Sequence, residues 1–438
     1  MPILTKPINV QLEITDKCNF RCRHCYHLDF ICPHTSNDQP DDKVIAMAKK
    51  IVEAGIFGAV ITGGEPLVRK NLAKKIIKYF KQNNVDVSLN TNLQLIDAET
   101  LDDFMANGLD SMLISCPAIN PDVYSFMTGG GNVTRFLSKL KTIVENKQRF
   151  AINMVVNRHN IDYIKETAIG MRDIGVKVFG VTPMGLNLEN PDLKNLLTKQ
   201  QVVSIIEELI WIKDKLSMEV DIFEAIPKCI FPDWILNSNL RFIKRKCQAG
   251  KTIISVANNG NIRPCSHNPD VYGNILNDPL ERVWERMQVW RTNNIMPNQC
   301  VGCTAANKCY GGCRITAKAF TADIRGNDPW MNAPIVAYQN EALNKQNVIL
   351  YPQTTLHFSK IFHWRKEKDN TYLISSERSG RRAMLVNNQL FGFIKTLRDI
   401  SPITLNNLIG VAECNFNDAD FQRVIKLLAS KNIVFLQS

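Results

Sequence analysis

Ile8-Asn9-Val10-Gln11-Leu12-Glu13-Ile14-Thr15-Asp16-Lys17-Cys18-Asn19-Phe20-Arg21-Cys22-Arg23-His24-Cys25 joins an alternating apolar run to three closely spaced cysteines. Apolar side chains at every second position from Ile8 to Ile14 predict a first β-strand. Cys18, Cys22 and Cys25, in Cys-x3-Cys-x2-Cys spacing, fall on the loop that leaves it. Three thiolates on one short loop can hold three irons of a four-iron cluster and leave the fourth open. A fully ligated cluster mainly transfers electrons, whereas an open iron is reactive. The competing reading is structural zinc, which wants four protein ligands; His24, His27 or Cys32 stands near enough in sequence to supply a fourth.

A second apolar strand is expected at Phe57–Ile61, followed by Thr62-Gly63-Gly64-Glu65-Pro66 and a helix from about Asn71. Two glycines let backbone approach a ligand closely, and Glu65 can accept hydrogen bonds from an ammonium group. Together, the cysteine triad and the Gly-Gly-Glu-Pro segment resemble the radical S-adenosylmethionine (SAM) enzymes. The resemblance implies that Gly63, Gly64, Glu65 and Pro66 hold the methionine amino end of SAM. It also implies that SAM chelates the open iron and is cleaved by one electron to a 5′-deoxyadenosyl radical that abstracts hydrogen from substrate.

Further strands are expected at Val85–Asn90, Ser111–Ser115, Phe150–Val155 and Val176–Val181. Helices are expected between them at about 41–54, 71–83, 98–107, 133–147 and 160–174. Six βα units imply a parallel sheet with helices outside it. The resemblance sharpens this α/β fold to a partial (β/α)6 barrel, whose ligands sit at the carboxyl ends of the strands. Thr91-Asn92-Leu93 is similar to the family's Thr-Asn-Gly, with Leu93 in the glycine's place. By the same resemblance Ser115 contacts the SAM ribose, Asn153 lies near the adenosine, and His24 takes the slot of an aromatic residue beside adenine. The stretch Tyr124–Gly129 resembles one whose arginine pairs with the SAM carboxylate, but Met127 stands there. Arg135, Arg158 or the iron itself is left to hold that carboxylate.

Cys300, Cys303, Cys309 and Cys313 place four thiols within fourteen residues, with Cys247 and Cys265 upstream and Gly260 five residues before Cys265. An apparent hairpin, Thr252–Val256 with Asn261–Cys265, carries that glycine. The arrangement resembles the SPASM domain, a cysteine-rich extension of radical SAM enzymes that carries up to two auxiliary clusters. The resemblance assigns Cys247, Cys265 and Cys313 to the first auxiliary cluster and Cys300, Cys303 and Cys309 to the second; a zinc ribbon is the competing reading. The family's closing cysteine is absent, and Met331 stands in its place. Asp323 or Asp328 is then a candidate oxygen ligand for the second cluster, and Cys229 a candidate fourth ligand for the first.

From about residue 345 the pattern changes. Strand-like Thr355–Trp364 and Tyr372–Ser376 precede helical patterns at 387–399, 404–413 and 418–430 and a final Ile433-Val434-Phe435. A hairpin with three helices resembles the PqqD-like winged-helix module that holds leader peptides of ribosomally made, modified peptides, by adding a strand to a sheet edge. Lys360 to Asp399 holds nine Lys or Arg against four Asp or Glu, which suits an acidic leader. A plain dimerisation or DNA-binding winged helix is the alternative.

The chain has 438 residues, 45% of them hydrophobic, enough for two or three domains. These are read as 1–215, a radical SAM barrel; 216–345, a SPASM domain; and 346–438, a peptide-recognition module. No run of about eighteen apolar residues or charged-then-apolar leader is seen, so neither membrane span nor export signal is expected. Thirteen cysteines without a signal peptide point to metal in a reducing cytosol. A net charge of +11 without an aromatic–basic motif argues against nucleic acid.

The expected function is radical SAM modification of a ribosomally made precursor peptide, forming a carbon–carbon or thioether cross-link in the cytoplasm, with electrons from a donor such as flavodoxin or ferredoxin. Alternatives are a maturase of a protein side chain or a metabolite, and a non-catalytic zinc protein that binds peptide or DNA. A peptide epimerase is a further alternative. It would use Cys116, next to Ser115 at a strand end, as hydrogen donor; the competing reading of Cys116 is core packing.

Overall fold

The computed structural model describes residues 4–26, 38–188, 191–236, 238, 240–335, 349–377, 383–412 and 418–437. His27, Cys32 and Cys414 lie outside them. Seven strands alternate with helices from the start: β1 (Asn9–Glu13), α1 (Asp41–Glu53), β2 (Gly58–Thr62), α2 (Lys70–Gln82), β3 (Asp86–Thr91), α3 (Ala98–Ala106), β4 (Ser111–Ser115), α4 (Pro121–Thr128), α5 (Val133–Glu145), β5 (Phe150–Val156), α6 (Ile164–Ile174), β6 (Val178–Pro183), α7 (Lys199–Leu216) and β7 (Glu219–Ile222). β1 to β7 are parallel and adjacent in chain order. The sequence pattern placed the first six within about two residues.

The helices form where apolar spacing and caps agree. α2 turns Leu72, Ala73, Ile76, Ile77 and Phe80 onto the sheet, the one-sided pattern of a surface helix. Asp97 caps α3 by accepting from Thr100 N and pairs with Lys70; these bonds hold its carboxyl well below the ordinary range. α4 was not expected. Asn120 caps it, Pro121 opens it, and Gly129 ends it in the left-handed region at φ 72°.

The sheet does not stop at the barrel. β8 (Ile253–Val256) pairs parallel with β1, and β9 (Asn261–Arg263) and β10 (Gly273–Asn274) follow antiparallel, giving ten strands in the order β10-β9-β8-β1-β2-β3-β4-β5-β6-β7. The expected hairpin is therefore bonded to the first strand. A buried ion pair between Glu13 and Arg263, with Ser255 Oγ donating to Glu13 at 3.0 Å, ties β1 to β8 and β9. Around the later cysteines, among the described residues, the helices are short: α8 (Asp233–Leu236), α9 (Leu280–Arg286), α10 (Ala306–Cys309) and α11 (Arg314–Thr321).

The last part has its own core of Leu356, Ile374, Ile394, Leu397, Ile425 and Leu428 with neighbours. It contains β11 (Thr355–Phe358), β12 (His363–Lys366), β13 (Thr371–Ser375), β14 (Met384–Asn387), α12 (Asn388–Ile400), β15 (Ile403–Thr404), α13 (Leu405–Ala412), α14 (Ala419–Ser430) and β16 (Val434–Gln437). Two three-stranded sheets form, β15-β11-β16 and β12-β13-β14. The run expected as one strand, Thr355–Trp364, is split between them.

This part packs on the starts of the barrel strands. Leu373 joins Leu4, Ile8 and Phe57 in a small core. Arg365, 8% exposed, donates to Lys6 O, Pro7 O and Gly55 O and to Glu367. Five N–H donors on one rigid group satisfy carbonyls left open at the strand starts. No helix among the described residues is long and apolar enough to cross a membrane.

Candidate radical and cluster site

The cysteine loop hangs between two anchors at the ends of β1, β2 and β4. On one side, Gly64 N donates to Thr15 O and Glu65 N to Lys17 O, both at 2.8 Å. A Cβ on Gly63 would stand 2.3 Å from Thr15 O, and one on Gly64 2.2 Å from Lys17 O. The glycines are thus needed for contact with the backbone just before Cys18, not only for contact with a ligand. On the other side, Arg21 N donates to Thr128 O and Arg23 N to Met127 O. Gly129, at φ 72°, lies where a Cβ would meet Arg21 O at 2.7 Å. The segment read for a missing arginine cradles the cysteine loop with its backbone. Of the two suggested substitutes, Arg158 donates Nε to Leu196 O at 3.1 Å and Arg135 is exposed.

Glu65 is the knot of the site. It is 1% exposed. Its Oε1 accepts from Leu67 N at 3.0 Å and Thr91 Oγ1 at 2.8 Å, and its Oε2 from Asn92 N at 2.7 Å. Burial outweighs these bonds and raises its pKa to about 7. Oε2, with one of its two lone pairs used, retains a place for an ammonium donor. Asn92 in turn donates Nδ2 to Asn19 Oδ1 at 2.8 Å and comes to 4.0 Å from Cys18 Sγ.

Leu93 adopts a backbone that glycine takes readily. Its φ is 66°, a conformation that costs a non-glycine residue roughly 1–2 kcal/mol. Its side chain is fully buried in the main core, which offsets that with about 2–3 kcal/mol. Ser115 and Asn153 are register partners on β4 and β5, and Asn153 Oδ1 accepts from Thr182 Oγ1 at 2.8 Å.

Burial raises the Cys18 thiol to about 11 and the Cys22 thiol further, with each other, Cys25 and Glu65 adding to the rise. Three thiols that repel one another's ionisation in a desolvated loop suit a cationic centre that takes them all as thiolates. They do not gather on one point: among the described residues no three His, Cys, Asp or Glu side chains are grouped tightly enough for a single metal ion. His24 is kept neutral by burial, its pKa lowered to about 4, and its Nδ1 is buried without a partner. Such an orphaned nitrogen fits a ligand edge beside it.

Of the two readings of Cys116, its burial favours core packing. It is fully buried in the main core, and its S–H donates to Ala118 O at 3.3 Å.

Sequence spacing sorted the later cysteines in part. Cys247, Cys265 and Cys313 interact electrostatically, and Glu224, just past β7, bears on Cys265 and Cys313. Burial raises Cys265 to about 12. Asp328 belongs beside this set: its Oδ2 accepts from Cys313 N and its Oδ1 from Trp330 N, both at 3.0 Å. With both oxygens on amides and burial raising it to about 7, Asp328 braces the start of α11. Asp323 is exposed and caps a turn through Arg325 N. Cys229, expected with the first set, lines one pocket with Cys300, Cys303, Cys309 and Met331.

Sequence reasoning missed the residues that join the two halves. Tyr26 packs against His267, the rings tilted by 39° with centroids 4.2 Å apart, and hydrogen-bonds Ser266, locking the first cysteine loop to the hairpin that carries Cys265. Its position beside Cys25 was a usable signal. Asn19 had none.

Residues 12–198 match the radical SAM superfamily, and residues 247–304 match the iron-sulfur cluster-binding domain SPASM. The AdoMet-dependent heme synthase of Methanosarcina barkeri is 23% identical over 74% of this chain and 96% of its own. The PqqA peptide cyclase of Gluconobacter oxydans is 22% identical over 82% and 99%. Among solved structures, Streptococcus suis SuiB bound to precursor peptide SuiA has a TM-score of 0.61 at 16% identity, covering 74% of this chain and 76% of that one. AnSMEcpe with bound AdoMet has a TM-score of 0.59 at 17% identity, covering 74% and 94%. These likenesses show a shared fold. Radical SAM enzymes need SAM and a [4Fe–4S] cluster, and SPASM domains bind auxiliary iron–sulfur clusters.

Proposed function

We propose that this chain, a radical SAM enzyme with a SPASM domain, modifies a residue of a ribosomally made precursor peptide, forming a carbon–carbon or thioether cross-link. The observation that carries the reading is one continuous sheet with the Cys18–Cys25 loop and Gly-Gly-Glu-Pro at its strand ends and the auxiliary cysteines joined to them through Tyr26. The PqqA cyclase and the SuiB–SuiA complex, both peptide systems, support a peptide substrate.

Cys18, Cys22 and Cys25 would hold a [4Fe–4S] cluster, and bound SAM with that cluster supplies one-electron chemistry that removes a hydrogen from an unactivated carbon. The chain's own residues place and shield. Glu65 offers its free lone pair to the SAM ammonium, and its bonds to Thr91 and Asn92 fix that lone pair in space. Ser115 and Asn153, side by side on β4 and β5, would hold the ribose side, and the unpartnered Nδ1 of His24 would meet the adenine. Cys247, Cys265 and Cys313 would hold one auxiliary cluster, and the Cys300 set a second. Cys300 and Cys303 also line an open surface pocket of about 510 Å³, so electrons from a flavodoxin- or ferredoxin-like donor would have a short path inward.

Residues 1–215 would carry the radical chemistry, 216–345 the auxiliary clusters and 346–438 leader recognition. Among the described residues no strand pairs with the outer edge of β14, where a leader would add. Anaerobic reaction with SAM, a strong reductant and a precursor peptide deuterated at its candidate positions tests the reading. Deuterium in the 5′-deoxyadenosine formed, with loss of two hydrogens from the peptide by mass, supports it. SAM cleavage without peptide change, in the presence of leader-bearing peptides encoded beside the gene, would contradict it.

A further inference from the structure

The Cys300 set has three thiols by spacing and four in space. Cys229 lies in the turn Lys228–Ile230, after β7 and 71 residues before Cys300. It faces the same small pocket as Cys300, Cys303 and Cys309, with Met331 and Asn332 completing the wall. Two backbone bonds fix the arrangement. Lys228 N donates to Cys309 Sγ at 3.2 Å, and Asn332 N to Cys229 Sγ at 3.1 Å. Amide donation to sulfur is the way a protein steadies thiolates around a cluster. The amide that reaches Cys229 belongs to the residue next to Met331, so Cys229 occupies the neighbourhood in which the missing cysteine was expected.

Resting on the iron–sulfur reading of the SPASM region, we propose that Cys229 is the fourth ligand of the second auxiliary cluster, closing it with Cys300, Cys303 and Cys309 in place of a thiolate at position 331. Ligation releases the Cys229 proton and changes no oxidation state. Burial raises this thiol, and nearby Cys309 and Cys303 raise it further. Four thiolates leave no open iron at this cluster. It passes electrons and does not bind substrate. The Cys247 set differs, with three thiols and the Glu224 carboxylate at hand.

The test uses the full chain, reconstituted anaerobically and desalted, as wild type, Cys229→Ala, Cys303→Ala and Cys229→Ala with Met331→Cys. Iron, labile sulfide, zinc and the electron paramagnetic resonance of the reduced protein are measured. Cys229→Ala is expected to lose as much iron as Cys303→Ala, about four per chain, or to convert one cluster to a three-iron form. Met331→Cys is expected to restore the loss. Should the alanine variant precipitate, Cys229→Ser keeps the shape and takes the same readouts. Wild-type iron and spectrum in Cys229→Ala, with loss in Cys303→Ala, would overturn the assignment alone. Wild-type iron in both would overturn it together with the cluster reading beneath it.

Discussion

His363 Nε2 hydrogen-bonds Asp86 Oδ2 at 2.9 Å, fastening the C-terminal part to the first residue of β3. The last residue of the same strand, Thr91, holds Glu65. Six residues of strand therefore separate the proposed recognition module from the proposed site, about 17 Å at ~3.3 Å per residue. The module and the cysteine loop lie at opposite ends of the barrel.

A leader held by the module must travel that height to deliver a residue to the cysteine loop. The span requires at least about six extended residues between the bound segment and the modified one. Precursors shortened in that spacer below six residues should bind with unchanged affinity, read by fluorescence anisotropy, yet lose modification, read by mass spectrometry. Full modification with a two-residue spacer would place the leader elsewhere.

Glu65 makes SAM binding pH-dependent. Its pKa of about 7 in the folded protein lies above the ordinary 4.5, so the fold holds a proton that the unfolded chain has released. Stability contributed by the neutral form is present at the acid end and is lost as pH rises through about 7. An ammonium ligand favours the carboxylate, so SAM affinity should weaken as pH falls below 7. Glu65→Gln should bind roughly tenfold or more weakly, from about 1.5–3 kcal/mol for a charged hydrogen bond, with a flat pH profile by calorimetry. A wild-type profile in the variant would remove Glu65 from the ligand.

Gly63→Ala should detach the cysteine loop. Its Cβ would overlap Thr15 O, and φ is 136°. Iron should fall by about one cluster while auxiliary signals persist. Gly392→Ala, where a Cβ meets nothing within 4 Å, is the control and should leave iron unchanged and raise stability by up to about 1 kcal/mol.

Cys116→Ala should leave turnover and product unchanged. Loss of a buried side chain should cost roughly 1 kcal/mol in a thermal or urea melt. A variant that cleaves SAM but makes no product would restore Cys116 as a participant.

Six strands were legible because alternating apolar residues and strand-end motifs are local signals. The reason for Gly63 and Gly64 was only half legible, since their crowding against Thr15 and Lys17 is a contact between segments nearly fifty residues apart in sequence. Leu93 read as a departure from glycine, yet its φ is one that glycine adopts readily. The pairing of β8 with β1 and the place of Cys229 depend on long-range packing, and spacing motifs carry no information about it. For Cys116 the strand-end position was visible in the sequence and its burial was not.

Iron and labile sulfide counted per chain after anaerobic reconstitution, beside SAM cleavage, test the account most directly. Three four-iron clusters predict about twelve irons in the wild type. The Cys18→Ala, Cys22→Ala and Cys25→Ala triple variant should keep about eight and cleave no SAM. A wild type holding zinc in place of iron and sulfide, or a triple variant that still cleaves SAM, would contradict it.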